Sequence, residues 1–470
     1  MPSVVIIGGG PGGYEAALVA NQLGADVTVV DRDGLGGSAV LTDCVPSKTL
    51  IATAEVMTEM AGAAELGINF HDAEGDAATT IKVDLGKVNR RVKALAGAQS
   101  ADIEGRLTRR DIRIVRGVGR LGKGRGAGGG DVVATLADGT EETIPADAVL
   151  IATGARPRVL PTAQPDGERI LTWEQVYDLD EVPSHLIVVG SGVTGAEFAS
   201  AYQVLGIPVT LVSSRDRVLP GEDADAAAVL EDVLTRRGMT VLGRSRMASV
   251  TRDGDSVTVT LTDGRTVTGS HCILALGSVP NSEGLGLEEA GVQLDDVGFI
   301  HIDRVSRTTA PGVYAAGDCT GGMMLASTAA MAGRIAMRHF LGDAVQPMDV
   351  KEVASNVFTS PEIATVGWSQ AAIERGEIQA EIVRLDLQGN PRAKMQGIHD
   401  GFVKLFARPG SGIIVGGVVV GPRASELIHP ISLAVAGNLT VDQVSGTFTV
   451  YPSLSGSLAE AARRLHRVGD

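Results

Sequence analysis

Cysteine is nearly absent, with only Cys44, Cys272 and Cys319 in 470 residues. Thiols so few and so scattered exclude a disulfide framework and a C-x2-C metal site, and make a reducing cytoplasm the default compartment. The eight histidines form neither H-E-x-x-H nor a Cys/His cluster, so no metal site is expected. Positive charge is in deficit: 41 Lys and Arg against 56 Asp and Glu leave a net charge of −15, which argues against nucleic acid as a partner. No apolar run reaches the ~18 to 20 residues that span a bilayer, so no membrane span is expected. The first apolar run, Pro2-Ser3-Val4-Val5-Ile6-Ile7-Gly8, lacks a basic leader and a small-residue cleavage site, and reads as a buried strand rather than a signal peptide.

Glycine, in contrast, is abundant. Its 61 positions, with 44% hydrophobic and 21% charged residues, fit an α/β protein with many tight turns. At ~150 residues per domain the length suggests about three domains.

One unit occurs twice. Val4 to Ile7 is a short apolar strand, followed by Gly8-Gly9-Gly10-Pro11-Gly12-Gly13, a helical run from Tyr14 to Leu23, a turn at Gly24 and a strand from Val27 to Val30 that ends at Asp31. In such a βαβ unit the glycines let the backbone turn tightly and approach a pyrophosphate at the helix N-terminus, where free N–H groups and the helix dipole favour negative charge. An acid at the second strand's end accepts hydrogen bonds from a ribose. The pattern returns as Leu186 to Val189, Gly190-Ser191-Gly192-Val193-Thr194-Gly195, a helical run from Ala196 to Leu205 and a strand from Val209 to Val212. Two dinucleotide sites are expected. The second closes on Ser213-Ser214-Arg215-Asp216-Arg217, whose hydroxyls and guanidinium groups tolerate a 2′-phosphate, so NADPH is favoured with NADH still open. Asp216 is within reach of a ribose hydroxyl, and Arg215 and Arg217 are equally readable as solvated loop residues.

Further strands end in small-residue turns at Leu150-Ile151-Ala152-Thr153-Gly154-Ala155 and Leu274-Ala275-Leu276-Gly277-Ser278-Val279-Pro280-Asn281, and Val313-Tyr314-Ala315-Ala316-Gly317-Asp318 delivers a carboxylate beside a glycine. With these signals the chain resembles, over essentially its whole length, the flavoprotein disulfide reductase family that includes dihydrolipoamide dehydrogenase, glutathione reductase and soluble transhydrogenase. The resemblance implies two Rossmann-like dinucleotide-binding domains plus a C-terminal α+β dimerisation domain: FAD binding over 1–156, NAD(P) binding over 157–276, a return to the FAD domain over 277–346, and dimerisation over 347–470. Phe358-Thr359-Ser360-Pro361-Glu362-Ile363-Ala364-Thr365-Val366-Gly367 is similar to the opening of the family's dimerisation domain and implies a homodimer. The glycine-rich stretch from Gly122 to Gly130 reads as a hairpin tip.

Residue by residue, the resemblance implies that FAD is held by Gly8, Gly10, Gly12, Gly13, Asp31, Gly37, Ser38, Lys48, Gly119, Thr153, Gly154, Asp318 and Ala326, with Ser38 on phosphate and Asp318 on the ribityl and pyrophosphate portion. It gives NAD(P)H to Gly190, Gly192, Val193, Thr194, Gly195, Ser214, Arg215, Arg217 and Gly277. Lys48 and Glu197 match the pair that the family places beside the flavin's N5.

Two pieces of the family's equipment are missing. The stretch from Gly36 to Lys48 resembles the redox motif G-G-x-C-x4-C-x-P-S-K, yet Ala39 stands where the substrate-attacking cysteine belongs and only Cys44, the flavin-side member, remains. The C-terminal His-Pro-Thr-x-x-Glu pattern, which supplies the acid/base, reads Tyr451-Pro452-Ser453-Leu454-Ser455-Gly456. Both losses remove thiol–disulfide interchange and spare hydride transfer. The expectation is an FAD-dependent NAD(P)H:quinone oxidoreductase, in which hydride passes to FAD N5 and the electrons then go directly to a flat acceptor such as a quinone. Soluble NAD(P) transhydrogenase and a non-catalytic FAD-binding adaptor are the alternatives. Cys44 either tunes the flavin or is an inert buried thiol; Tyr451 reads as interface packing, and His466, in the basic tail Arg463-Arg464-Leu465-His466-Arg467, as solvent-exposed.

Overall fold

The computed structural model of the chain describes residues 1–69, 82–122 and 130–466. Between its end residues the hairpin tip expected from Gly122 to Gly130 lies outside this range, as does Arg467 of the basic tail. The chain divides into two compact units, Met1–Thr49 with Asn89–Arg158 and Leu276–Met348, and Leu50–Val88 with Val159–Ala275 and Asp349–Asp470.

The first unit is built on a seven-stranded sheet in the order Val313–Ala315, Ala148–Ile151, Ser3–Ile7, Asp26–Asp31, Arg113–Leu121, Gly130–Leu136, Glu141–Ala146. The first five strands run parallel and the last two pairings are antiparallel. Val4, Ile6, Val27 and Val29 face one apolar cluster, and Val5, Ile7 and Val30 face another. Val4 to Ile7 and Val27 to Val30, buried on both faces, are apolar but for Thr28, which is why these segments read as near-continuous runs rather than alternating ones. Each such side chain contributes about 1.5–3 kcal/mol on burial. Helix Pro11–Gln22 covers one face and helix Ala326–Phe340 crosses it closely: a Cβ on Gly333 would lie 2.1 Å from the Gly12 carbonyl oxygen. The Arg334 guanidinium donates twice to Glu15 Oε2, at 2.6 and 2.9 Å, across that crossing.

The second unit contains a five-stranded parallel sheet in the order Thr240–Leu242, Val209–Val212, Leu186–Val189, His271–Leu274, Ile170–Thr172. A three-stranded antiparallel sheet, Met247–Asp253, Ser256–Leu261 and Thr266–Gly269, accompanies it. The C-terminal part carries a five-stranded antiparallel sheet, Ser355–Val357, Glu362–Gly367, Ile414–Gly421, Phe402–Ala407, Glu381–Asp386. Helix Gly456–Leu465 closes the core of this sheet through Leu458, Ala461, Ala462 and Leu465. Lys404, 1% exposed, donates to Asp223 Oδ1 and Oδ2 at 2.8 and 2.9 Å, to Asp225 Oδ2 at 2.8 Å and to Gln370 Oε1 at 2.7 Å. Asp223 also caps helix Ala224–Arg236, so one buried ammonium ties that helix's start to the C-terminal sheet. Breaking a buried pair from one side costs about 3–5 kcal/mol.

Both helices of the repeated unit begin three residues before the expected starts: Pro11–Gln22 rather than Tyr14 to Leu23, and Val193–Val204 rather than Ala196 to Leu205. The glycines do not delay the helix. Gly10 and Gly192 are extended N-caps, and Pro11 suits the first position because its missing N–H has no intrahelical partner there.

Candidate functional site

In the first unit the helix over Pro11–Gln22 starts with no side-chain cap, so its leading N–H groups are left for an external acceptor. A Cβ on Gly10 would meet nothing within 4 Å, whereas one on Gly13 would lie 1.9 Å from the Gly8 oxygen, and one on Gly8 2.3 Å from the Ala152 oxygen. Gly8 and Gly13 are therefore demanded by the fold, and Gly10 borders the open side where a pyrophosphate would meet the backbone. The arrangement fits FAD. Gly12 is a packing position beneath helix Ala326–Phe340: a Cβ there would come within 3.3 Å of Ala316 Cβ and the Ala329 oxygen.

Asp31 sits at the end of strand Asp26–Asp31, its Oδ2 accepting from the Gly9 N–H at 2.7 Å and its Oδ1 from the Gly34 N–H at 2.6 Å. Burial pushes its carboxyl above the usual range, opposed by those two N–H donors. The Gly36 N–H donates to the Gly9 oxygen at 2.8 Å, and a Cβ on Gly37 would lie 2.8 Å from Gly10 Cα. The loop that leads to Ser38 thus lies against the glycine turn.

Ser38 and Ala39 lie on the short helix Gly37–Leu41, and Cys44 and Lys48 on the first turns of helix Cys44–Gly62, all partly buried. All three cysteines are free. Cys319 donates to the Ala316 oxygen at 3.4 Å, and burial pushes its thiol up to about 11; Cys272 is raised further by the same cause. Neither offers a thiolate at neutral pH.

Asp318 opens the 3-10 turn Asp318–Thr320, and burial, helped by the charge of Asp43, pushes its carboxyl up to about 6. Thr153 and Gly154 are locked by Asn281: Thr153 Oγ1 donates to the Asn281 oxygen at 2.7 Å, Asn281 Nδ2 returns to the Thr153 oxygen at 3.0 Å, and the Asn281 N–H meets the Gly154 oxygen at 3.0 Å. Sequence reasoning missed this residue as a site member, although it closes a motif already singled out. Gly119 is buried, and a Cβ there would press on Ile7 and Val30, so packing alone accounts for that glycine. Ala326 is exposed at the first residue of its helix.

The second unit repeats the cradle. Helix Val193–Val204 also lacks a side-chain cap; Cβ atoms on Gly190 and Gly195 would lie 2.1 Å from the Ala275 oxygen and 1.9 Å from the Gly190 oxygen, while one on Gly192 meets nothing within 4 Å. Val193 is exposed and Thr194 partly buried at the helix start. Gly277 lies in the first unit, where with φ +86° it turns the chain and its oxygen accepts from the Arg158 N–H at 2.9 Å. Ser214 and Arg215 are exposed. Arg217 Nη2 donates to the oxygens of Pro220 and Glu222, at 3.3 and 3.5 Å, within its own loop.

Glu197 is buried, and its Oε1 accepts from the Phe358 N–H at 2.9 Å; three residues on, Ser200 Oγ accepts from the Ser360 N–H at 3.0 Å. The segment that opens the C-terminal region is thereby hung on the nucleotide helix by two backbone N–H groups, a link invisible in the sequence. Tyr451 is 82% exposed, with Phe448 and Val450 beside it similarly open. His466 is exposed and bonded to Asp442. Among the described residues no helix is long and apolar enough to cross a membrane, and no group of three metal-binding side chains occurs.

Residues 2–333 match the model of the pyridine nucleotide-disulphide oxidoreductases, and residues 353–462 that of the dimerisation domain of the same proteins. A Mycobacterium tuberculosis protein named NAD(P)H dehydrogenase (quinone) is 55% identical over 468 residues, 98% of this chain and 93% of that protein. A dihydrolipoyl dehydrogenase of Zymomonas mobilis is 32% identical over 97% of this chain and 96% of its own length. The crystal structure of LpdA from M. tuberculosis matches with a TM-score of 0.94 and 54% identity over 99% of this chain and all of that one. An Escherichia coli flavoprotein disulfide reductase induced by HOCl, RclA, shares the fold at a TM-score of 0.85 and 22% identity.

Proposed function

The chain belongs to the pyridine nucleotide-disulphide oxidoreductase family, and from that premise we propose that it oxidises NAD(P)H and reduces a quinone without a dithiol relay, working as a homodimer. It is an α/β oxidoreductase whose cofactors are FAD and a pyridine nucleotide. The observation that carries the quinone reading is Ala39 opposite the lone Cys44: the two other cysteines are buried, with thiols held protonated. No second thiolate is offered for an interchange disulfide, and Tyr451-Pro452-Ser453-Leu454-Ser455-Gly456 contains neither the histidine nor the glutamate of the family's acid/base pair. The name of the M. tuberculosis relative supports the same acceptor.

Bound FAD supplies the two-electron chemistry that links nicotinamide to acceptor. The chain's part is to hold and to charge-balance. The glycine cradle and Asp318 hold the flavin nucleotide and Lys48 balances negative charge at the ring; within the second unit the buried Glu197 carboxylate has its orientation set by the Phe358 N–H.

The test is anaerobic double mixing. Purified protein meets NADPH while the flavin's visible band is followed, then menadione, NAD+ or lipoamide. Fast bleaching followed by fast reoxidation with menadione, unchanged in Cys44→Ser, is expected. Reoxidation mainly by NAD+ would make the protein a transhydrogenase, and flavin that never bleaches would make it an adaptor.

A further inference from the structure

We infer that Ser213, together with Ser191, sets the nucleotide selectivity of the second unit in favour of a 2′-phosphorylated pyridine nucleotide; the inference rests on the reading that this unit holds NAD(P)H. The two repeated units supply the standard of comparison. Gly8 N–H donates to the Val30 oxygen at 2.8 Å, and Gly190 N–H to the Val212 oxygen at 2.9 Å. With no insertion between, Asp31 and Ser213 occupy one position of the repeat, and Gly9 and Ser191 another.

In the first unit a carboxylate and a glycine go together. A Cβ on Gly9 would lie 2.9 Å from Asp31 Oδ2 and 2.7 Å from Leu35 Cδ2, so a side chain on this loop residue would crowd a strand-end acid in the orientation Asp31 holds. In the second unit both members differ. Ser191 Oγ and Ser213 Oγ share a hydrogen bond of 2.6 Å, and the Arg215 N–H donates to Ser213 Oγ at 3.1 Å. Both serines are buried, Ser213 fully. The neutral hydroxyl pair stands where a carboxylate would otherwise accept ribose hydroxyls and repel a phosphate. With Arg217 turned into its own loop, exposed Arg215 is the cation beside Ser214 that remains for the 2′-phosphate.

The experiment copies one unit into the other. Holoprotein, wild type and variants, is mixed anaerobically with NADPH or NADH to obtain the efficiency of flavin bleaching, and the binding of NADP+ and NAD+ to the oxidised protein is measured by calorimetry. Wild type is expected to prefer the phosphorylated nucleotide. S191G/S213D is expected to lower the NADPH:NADH ratio at least tenfold, with S213D alone binding both nucleotides less well because its carboxylate meets Ser191. Arg215→Gln, at an exposed side chain, is expected to lower the same ratio about tenfold without a change in folding. Equal binding of NADP+ and NAD+ by wild type, or a ratio unmoved in Arg215→Gln and in the double variant, overturns the inference. Flavin that neither nucleotide bleaches overturns the oxidoreductase reading instead, and the calorimetric ratio then still decides selectivity.

Discussion

The two glycine-turn units run in register from Val4 and Leu186 to Asp31 and Ser213, and they differ at several side chains that face a neighbour. Their backbones impose the same prohibitions, with a Cβ on Gly13 or Gly195 lying 1.9 Å from the oxygen of Gly8 or Gly190. Glu15 and Glu197 hold one position, yet Glu15 is gripped by Arg334 and Glu197 by the Phe358 N–H. Gly12 is required where helix Ala326–Phe340 crosses, and Thr194 is allowed in the other unit. Ala20 and Tyr202, both fully buried, fill the same place with very different volumes. The outermost parallel strand of the first sheet runs on to Gly317-Asp318, that of the second to Trp173. A phosphate cradle constrains the main chain, whereas the surroundings choose the side chains.

Breaking the cradles one at a time should give the largest effects and separate the two sites. Gly13→Val is expected to yield protein without flavin, seen in the ratio of visible to ultraviolet absorbance. Gly195→Val should retain flavin that NADPH bleaches at least ~100-fold more slowly, equivalent to about 2.7 kcal/mol; loss of flavin there as well would end the assignment of one nucleotide to each unit.

Asp318, without a counterpart in the second unit, sharpens the contrast through pH. Its carboxyl is raised from 3.8 to about 6, so the folded chain binds this proton more tightly than the unfolded one. The associated stability is fully present below the unfolded value and is lost as pH rises through about 6. The flavin contact proposed for Asp318 requires the opposite state, because only the ionised carboxylate is a pure acceptor for hydroxyl donors. FAD retention, followed by flavin fluorescence on dilution, is expected to fall about tenfold between pH 7 and pH 5. Asp318→Asn should be weaker at pH 7 and flat across that window; a slope equal to that of wild type would remove Asp318 from the flavin site.

The smallest effect concerns the pair Ala20 and Tyr202. The Tyr202 hydroxyl is buried without a hydrogen-bond partner, and such a group costs about 1–3 kcal/mol. Tyr202→Phe is expected to stabilise the chain by about 1 kcal/mol, read as a rise of a few degrees in the thermal midpoint. A fall would mean that the hydroxyl is satisfied.

Much of this was legible in the chain itself. Strands Leu186–Val189 and Val209–Val212 lie where their runs place them, because a strand buried on both faces is apolar at nearly every position, Thr210 being the one polar residue of the two. The helices start three residues before the expected positions because only part of each glycine stretch is turn: Gly10 and Gly192 are the caps, and Gly12, Gly13 and Gly195 already lie in the helix. For Arg217 the sequence shows a charge and not the direction of its side chain; only the fold brings the oxygens of Pro220 and Glu222 within its reach.

Local chemistry along the chain determined the two nucleotide cradles, the family and the missing second thiol, since each depends on residues a few positions apart whose spacing is set by covalent geometry. Tertiary structure alone decided that Asn281 locks Thr153 and Gly154, that buried Lys404 joins Asp223 in the interior and the more exposed Asp225, and that Phe358 and Ser360 orient Glu197 and Ser200. Those partners lie more than a hundred residues apart along the chain, and pairing between them is fixed by the packing of whole elements rather than by any neighbour in sequence.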